Sequence, residues 1–249
     1  MANLVIDVGN SANKIAVFDN DKILFQEVSK LSLFKNIQTI TTSYPIKNII
    51  ISSVKNDVDI DERQLEDEFN YIKFNSDTKI PIHNKYKSPK SLGLDRLASV
   101  IGANNIFPNH HVLVIDAGTC ITYDKIDENA NYNGGSISPG INMRFKAMNQ
   151  FTAKLPLVDF ENSFNQNFGN DSITSMLSGV INGVLYEVEG FIKNHLKINP
   201  DLRIILCGGD AAFFDTRFKN SIFAHLISYE PLLVLKGLNT VVKYQHDHK

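Results

Sequence analysis

The segment LVIDVGNSANKIAVFD, Leu4 to Asp19, is echoed in the second half of the chain by LVIDAGTCITYDKID, Leu113 to Asp127. In each copy an apolar run ends in Asp-x-Gly, passes through small polar residues and re-enters a run rich in β-branched and aromatic residues. That pattern reads as strand, tight turn, strand. A carboxylate at the end of a buried strand faces a cation or its waters, and the glycine lets backbone N–H groups approach phosphate oxygens. One Asp-x-Gly is an ordinary turn. Two, each after the same Leu-Val-Ile run, mark one unit that occurs twice. A third signal is IILCGGD, Ile204 to Asp210, an apolar strand delivering a glycine pair against which a flat base or ribose can lie.

Working outward, each hairpin is followed by a candidate third strand, at 22–28 and around 132–137. The first copy continues through a strand at 48–54, an acidic helical stretch at 61–70 and a strand at 71–75. The second continues through a helix near 142–155, a long helix and a strand at 203–207. The long helix rests on Ile173, Met176, Leu177, Val180, Ile181, Val184, Leu185, Val188, Phe191, Ile192 and Leu196, which share one face. Asp171 or Ser172 caps it. Gly179 and Gly183, one turn apart within it, each cost about 1 kcal/mol against alanine. They mark either tight core packing or close approach by another helix or a subunit. FPNHH, Phe107 to His111, interrupts both patterns and divides the chain into halves at 1–110 and 111–249.

The bulk properties narrow the partners. The 249 residues are 43% hydrophobic and 21% charged, with a formal net charge of −2, so no basic footprint for nucleic acid or an anionic membrane appears. No apolar run approaches the roughly 18 residues a membrane helix needs, and no basic region precedes the first apolar stretch. Cys120 and Cys207 stand far apart, as reduced thiols of a cytoplasmic protein do, and the seven histidines show no metal-ligand spacing. A small molecule is the expected partner. Neither G-x-x-x-x-G-K-[ST] nor G-x-G-x-x-G occurs, which removes the common rival nucleotide folds.

Two phosphate hairpins and a late Gly-Gly turn on a duplicated unit resemble the actin-like ATPase superfamily. That resemblance implies an α/β, ribonuclease H-like fold of two domains, each with a mixed sheet flanked by helices. Within the superfamily the chain resembles type III pantothenate kinase over most of its length. Asp7, Gly9, Asn10 and Lys14 match the family's D-x-G-N-T-x-x-K, with Ser11 in place of threonine, and Ser52 to Val54 match a second short motif. Tyr86-Lys-Ser-Pro89-Lys-Ser-Leu-Gly93-Leu-Asp95-Arg96 fits Y-x-x-P-x-x-x-G-x-D-R, the most specific of the matches. Asp116-Ala-Gly118-Thr119-Cys-Ile-Thr122-Tyr-Asp124 fits D-x-G-T-x-x-T-x-D, and Gly134 to Gly140 fits G-G-x-I-x-P-G, followed by Lys154-Leu-Pro156.

The resemblance implies ATP-dependent phosphorylation of pantothenate to 4′-phosphopantothenate by a homodimer. It makes Asp95 the general base and places pantothenate against Tyr86, Gly93, Leu94, Asp95 and Arg96. ATP falls to Asp7, Val8, Gly9, Asn10, Ser11, Lys14 and Thr119, with Mg²⁺ at Asp7 and a monovalent cation, K⁺ or NH₄⁺, at Asp116. The family's substrate-contacting threonine aligns with Ser172. Each residue also has a plainer reading. Asp95 opens an apolar helical stretch, Leu94 to Ile106, where a carboxylate complements the helix dipole. Arg96 reads as a surface ion pair, Tyr86 as a loop residue and Ser172 as an N-cap. A non-catalytic regulator of the same fold, or a kinase of another small molecule, would share both phosphate turns.

Overall fold

The computed structural model describes residues 2–9, 12–30, 32–53 and 60–247. These pack as two compact units. The first takes Met1–Asn109, Asn129–Asn133 and Leu232–Lys249, and the second takes His110–Glu128 and Gly134–Pro231.

In the first unit the order is β1 (Ala2–Val8), β2 (Asn13–Asp19), β3 (Lys22–Ser29), α1 (Leu33–Ser43), β4 (Ile46–Ser53), α2 (Glu62–Glu68), β5 (Asn70–Phe74), β6 (His83–Asn84) and α3 (Leu94–Ile106). The first five of these strands form a sheet of order β3-β2-β1-β4-β5, while β6 pairs instead with Asn131 and Tyr132. β1 is antiparallel to β2 and parallel to β4. All seven residues of β1 are buried, as its unbroken apolar run requires of a central strand. Leu4, Ile6 and Val8 join Leu33, Ile37 and Ile40 of α1 in one core. Asp61 caps α2, accepting from the amides of Arg63 and Gln64.

The second unit runs β7 (Val112–Ala117), β8 (Cys120–Ile126), β9 (Asn131–Pro139), α4 (Ile141–Phe151), α5 (Ser172–Ile198), β10 (Arg203–Cys207), α6 (Ala211–Phe218) and β11 (Ile227–Tyr229). Its strands follow the order β9-β8-β7-β10-β11. β7 is antiparallel to β8 and parallel to β10. The repeat seen in the sequence is therefore a repeat of topology, with the Asp-bearing strand central in each sheet and its hairpin partner on the same side. The first residues of β9, Asn131 and Tyr132, belong to the first unit, where they pair with His83 and Asn84 of β6.

α5 buries Met176, Leu177, Val180, Ile181, Val184, Val188 and Ile192 in the second unit's core, while Ile173 at its start is exposed. Asp171 is its cap: the carboxylate accepts from Thr174 N, and the Thr174 hydroxyl accepts from the cap's backbone N–H. Ser172 is the first helical residue and is not the cap. A Cβ added at Gly179, Gly183 or Gly190 would meet nothing within 4 Å. Tight core packing within the chain is thus not what these glycines serve.

A split at 110/111 follows the repeat, and the packing boundary falls beside it at Asn109. The last helix, α7 (Leu233–Asp247), nevertheless belongs to the first unit. Two glycines permit this, because a Cβ at Gly237 would lie 1.8 Å from Ala98 O and one at Gly102 would lie 2.6 Å from Leu233 O. α3 and α7 therefore meet backbone to backbone. Asn239 of α7 accepts from Asn3 Nδ2 at 2.8 Å, and its own Nδ2 donates to Asn20 O at 2.8 Å. Asn48 Nδ2 donates to Asn3 and Asn70 Nδ2 to Asn48, so a chain of amides crosses β1, β4 and β5 and satisfies groups that would be costly to bury unpaired.

Candidate active site

In the first unit Asp7 stands at the end of β1, 8% exposed. Directly opposite residues in a sheet share a face. Lys14 of β2 and Ser52 of β4 are the register partners of Asp7, so the three side chains project from one face. The turn beyond is closed by Gly9 N donating to Ala12 O at 3.2 Å. Asn10 and Ser11, expected to meet ATP, and Val54 of the second motif lie outside the described residues.

Asp95 is the second residue of α3, exposed, after Gly93 at the helix cap. Its Oδ1 accepts from Arg96 N at 2.8 Å. Gly93 has a local reason, because a Cβ there would lie 2.6 Å from Asp95 Oδ1. The carboxylate is therefore held at one oxygen by the helix N-terminus and presented to solvent. Arg96 is 7% exposed, which excludes a surface ion pair, and its Cζ sits 5.7 Å from the centroid of the Tyr86 ring. Tyr86 is in turn parallel to the buried ring of Tyr132, with centroids 6.2 Å apart and planes 6° apart. Tyr86, Gly93, Leu94, Asp95 and Arg96 thus form one local cluster in the first unit.

In the second unit Asp116 ends β7 with Thr122 of β8 and Cys207 of β10 as register partners. Gly118 N donates to Cys120 O at 2.9 Å and closes the turn, leaving Thr119 exposed at its tip. Two further glycine segments pack against it. Gly140, at the cap of α4, donates to Thr119 O at 3.0 Å, and a Cβ there would lie 2.1 Å from Gly118 O. Gly208, at φ +95°, would place a Cβ 2.4 Å from both Ala117 O and Asp116 Oδ1. Asp210 N donates to Ala117 O at 2.8 Å, and burial pushes the Asp210 carboxyl up. Beside this backbone cradle Gly209 faces open space.

Both turns supply oxygen donors, which suit hard cations. Asp7 offers one carboxylate, the small protein contribution typical of a Mg²⁺ that keeps phosphate and water ligands. Next to Asp116, the buried Oγ1 of Thr122 has no hydrogen-bond partner among the described residues, so a cation's waters or the ion itself fit there. Among the described residues no group of three or more His, Cys, Asp or Glu stands ready to hold a metal. Ser172 is exposed at the first turn of α5 in the second unit.

A duplicated mixed sheet with a carboxylate turn at each centre defines the actin-like ATPase fold, which solved proteins share with this chain over nearly their full length. One is the activator of 2-hydroxyisocaproyl-CoA dehydratase from Clostridium difficile with bound ADPNP, at a TM-score of 0.55 and 14% identity, covering 100% of this chain and 97% of that one. The sequence profile of type III pantothenate kinase matches residues 3–194, and the chain belongs to that family. A type III pantothenate kinase from Phocaeicola vulgatus is 43% identical over 243 residues, covering 97% of this chain and 98% of its own. A Campylobacter jejuni protein described as a Baf family transcriptional activator aligns at a TM-score of 0.61 and 22% identity over 98% of this chain and 99% of that one, a likeness of fold alone.

The sequence missed Tyr132, Arg144 and Glu187, whose hydrogen bonds and ring contacts join segments distant in the chain. No local motif marks them.

Proposed function

We propose that the chain transfers the γ-phosphoryl group of ATP to the primary hydroxyl of pantothenate, giving 4′-phosphopantothenate and ADP, with Asp95 as general base. Family membership supports the substrate and the place of the reaction at the start of coenzyme A biosynthesis. The observation that carries the base is the Asp95 carboxylate itself, exposed, fixed at Oδ1 by the Arg96 amide and set beside the Tyr86–Arg96 pair.

The acceptor hydroxyl donates to the free side of the Asp95 carboxylate. As its oxygen bonds to the γ-phosphorus, the proton passes to Asp95 and the bond to the bridging β-γ oxygen breaks, releasing ADP. In such a loose transition state the protein's work is alignment and charge neutralisation. Arg96, charged and buried, pairs with the carboxylate end of pantothenate, and Tyr86, Gly93 and Leu94 line its path. Ser172 offers its hydroxyl to the same substrate. Asp7, Val8, Gly9, Asn10, Ser11 and Lys14 take the phosphates, and Thr119 the nucleotide. Asp7 would hold Mg²⁺, which would supply charge neutralisation at the phosphates, and Asp116 with the Thr122 hydroxyl, unpartnered among the described residues, would hold a monovalent cation, K⁺ or NH₄⁺. The open face of α5, with Gly179, Gly183 and the exposed Tyr186, suits a homodimer. No described helix is long and apolar enough to cross a membrane. The family's metabolic role and the reduced cysteines favour the cytoplasm, and neither nucleic acid nor membrane is assigned as a partner.

The test is a coupled assay of ADP release with and without pantothenate, in potassium and in sodium-only buffer. Release that needs pantothenate and falls without potassium or ammonium is expected. No turnover with any acceptor would indicate a regulator, and turnover with another acceptor alone a different kinase.

A further inference from the structure

Glu187 lies midway along α5, its side chain 26% exposed, and no step of the mechanism uses it. Its two oxygens are nevertheless the meeting point of three elements. Oε1 accepts from the Tyr123 hydroxyl of β8 at 2.8 Å and from the Ser138 hydroxyl of β9 at 2.5 Å. Oε2 accepts from Arg144 Nη2 of α4 at 2.6 Å. Burial alone would push this carboxyl up; the bonds from Ser138, Arg144 and Tyr123 outweigh it and hold the group below its ordinary range, as an anion. Charge-assisted bonds of this kind are about twice as strong as neutral ones.

The same Arg144 has a second bond, Nε to Pro139 O at 2.9 Å. Pro139 precedes Gly140, whose N–H holds Thr119 O and whose α-carbon touches the Gly118 carbonyl too closely for any side chain. Contacts therefore run without a gap from Glu187 through Arg144 and Pro139–Gly140 to the Gly118–Thr119 turn. The other strand of that hairpin is held by the same helix, since the Tyr123 ring stacks on Phe191, one turn beyond Glu187, at 3.8 Å between centroids.

We infer that Glu187 is a positioning residue for the nucleotide: acting through Arg144, it sets the place of the Thr119 turn. This rests on the reading that Thr119 contacts ATP. A misplacement of about 1 Å at such a turn is enough to cost one to two orders of magnitude in a bound ligand's productive geometry. The carboxylate also fixes the direction of the half-buried Arg144 guanidinium, which without that anion would be free to turn to solvent.

The experiment titrates a non-hydrolysable ATP analogue with Mg²⁺ into wild type, Glu187→Gln and Arg144→Lys, without pantothenate, and then measures KM for ATP and for pantothenate separately. Glu187→Gln keeps length and one oxygen that accepts from the Tyr123 and Ser138 hydroxyls but removes the anion. Arg144→Lys keeps the ion pair but removes the donor to Pro139, and serves if the first variant fails to fold. The analogue's Kd and the ATP KM are expected to rise about tenfold in both variants, with pantothenate KM within about twofold of wild type. Unchanged analogue affinity in folded variants, or an equal rise in both KM values, would overturn the assignment and leave a purely structural network. Because the titration omits pantothenate, a wild type that binds the analogue but phosphorylates no pantothenate would sink the proposed function and not this inference.

Discussion

Replacing Gly237 with alanine sets two effects of known size against each other. In a free helix alanine is favoured over glycine by about 1 kcal/mol. At Gly237 the new methyl would lie 1.8 Å from Ala98 O, 2.7 Å from Ala98 C and 3.0 Å from Gly102 N, all backbone atoms that cannot rotate aside. α7 must then back away from α3 by about 1 Å, a gap that forfeits a quarter to a half of each dispersion contact along the seam. Overpacking of this kind costs about 1–3 kcal/mol and occasionally more. With backbone oxygen only 1.8 Å away the penalty falls in the upper part of that range, and after the propensity gain is subtracted a net loss of about 1–2 kcal/mol lowers Tm by roughly 2–8 °C for a chain of this size. Turnover should fall as well, because α3 carries Asp95 at its start. Thermal unfolding by circular dichroism of Gly237→Ala beside Gly190→Ala reads the sign directly. Gly190 has nothing within 4 Å, so its alanine variant keeps the propensity gain. A Gly237→Ala protein that melts at or above wild type would refute the backbone contact between α3 and α7.

Acid should weaken the second unit through His195, whose imidazole is held below its usual 6.5 by burial and then by the Lys125 charge. The unfolded chain binds this proton more readily, so the contribution is complete above about pH 6.5 and is lost as pH falls below it. Wild type should therefore lose more stability between pH 7 and 5 than His195→Gln; parallel Tm curves would contradict this. Sedimentation equilibrium at micromolar concentration should show a dimer, and a monomer alone would remove the open face of α5 from the account.

The sequence carried the centre of each sheet because both central strands are continuous apolar runs and both hairpins repeat one pattern. β10 and α3 fall where spacing places them, at Arg203–Cys207 and Leu94–Ile106. α1 and α7 escaped notice for physical reasons. Ile37 to Ser43 is rich in β-branched and hydroxyl residues that form helices poorly alone, and α7 carries a glycine in its second turn. Both helices depend on tertiary contacts, α7 on Ala98 and Gly102 far away in sequence. At the site, the carboxylates and glycines were legible because each belongs to a short motif. The supports were not: Tyr132 reaches Tyr86 only because the start of β9 pairs with β6, and Glu187 reaches Arg144 only across α4 and α5. Asp171 and Ser172 were equivalent caps in sequence, and the reciprocal bonds with Thr174 choose Asp171.

The central claim is that Asp95 accepts the proton of the acceptor hydroxyl, and Asp95→Asn tests it most directly. The amide keeps the size and the bond from Arg96 N but removes the proton acceptor. A positioned general base contributes about 10²- to 10⁴-fold, whereas a carboxylate that only complements a helix N-terminus contributes about 0.3–1 kcal/mol of stability. On one preparation, pantothenate-dependent ADP release should fall by about two to four orders of magnitude while Tm and ATP affinity stay near wild type. A folded, ATP-binding Asp95→Asn protein that turns over near the wild-type rate would contradict the account.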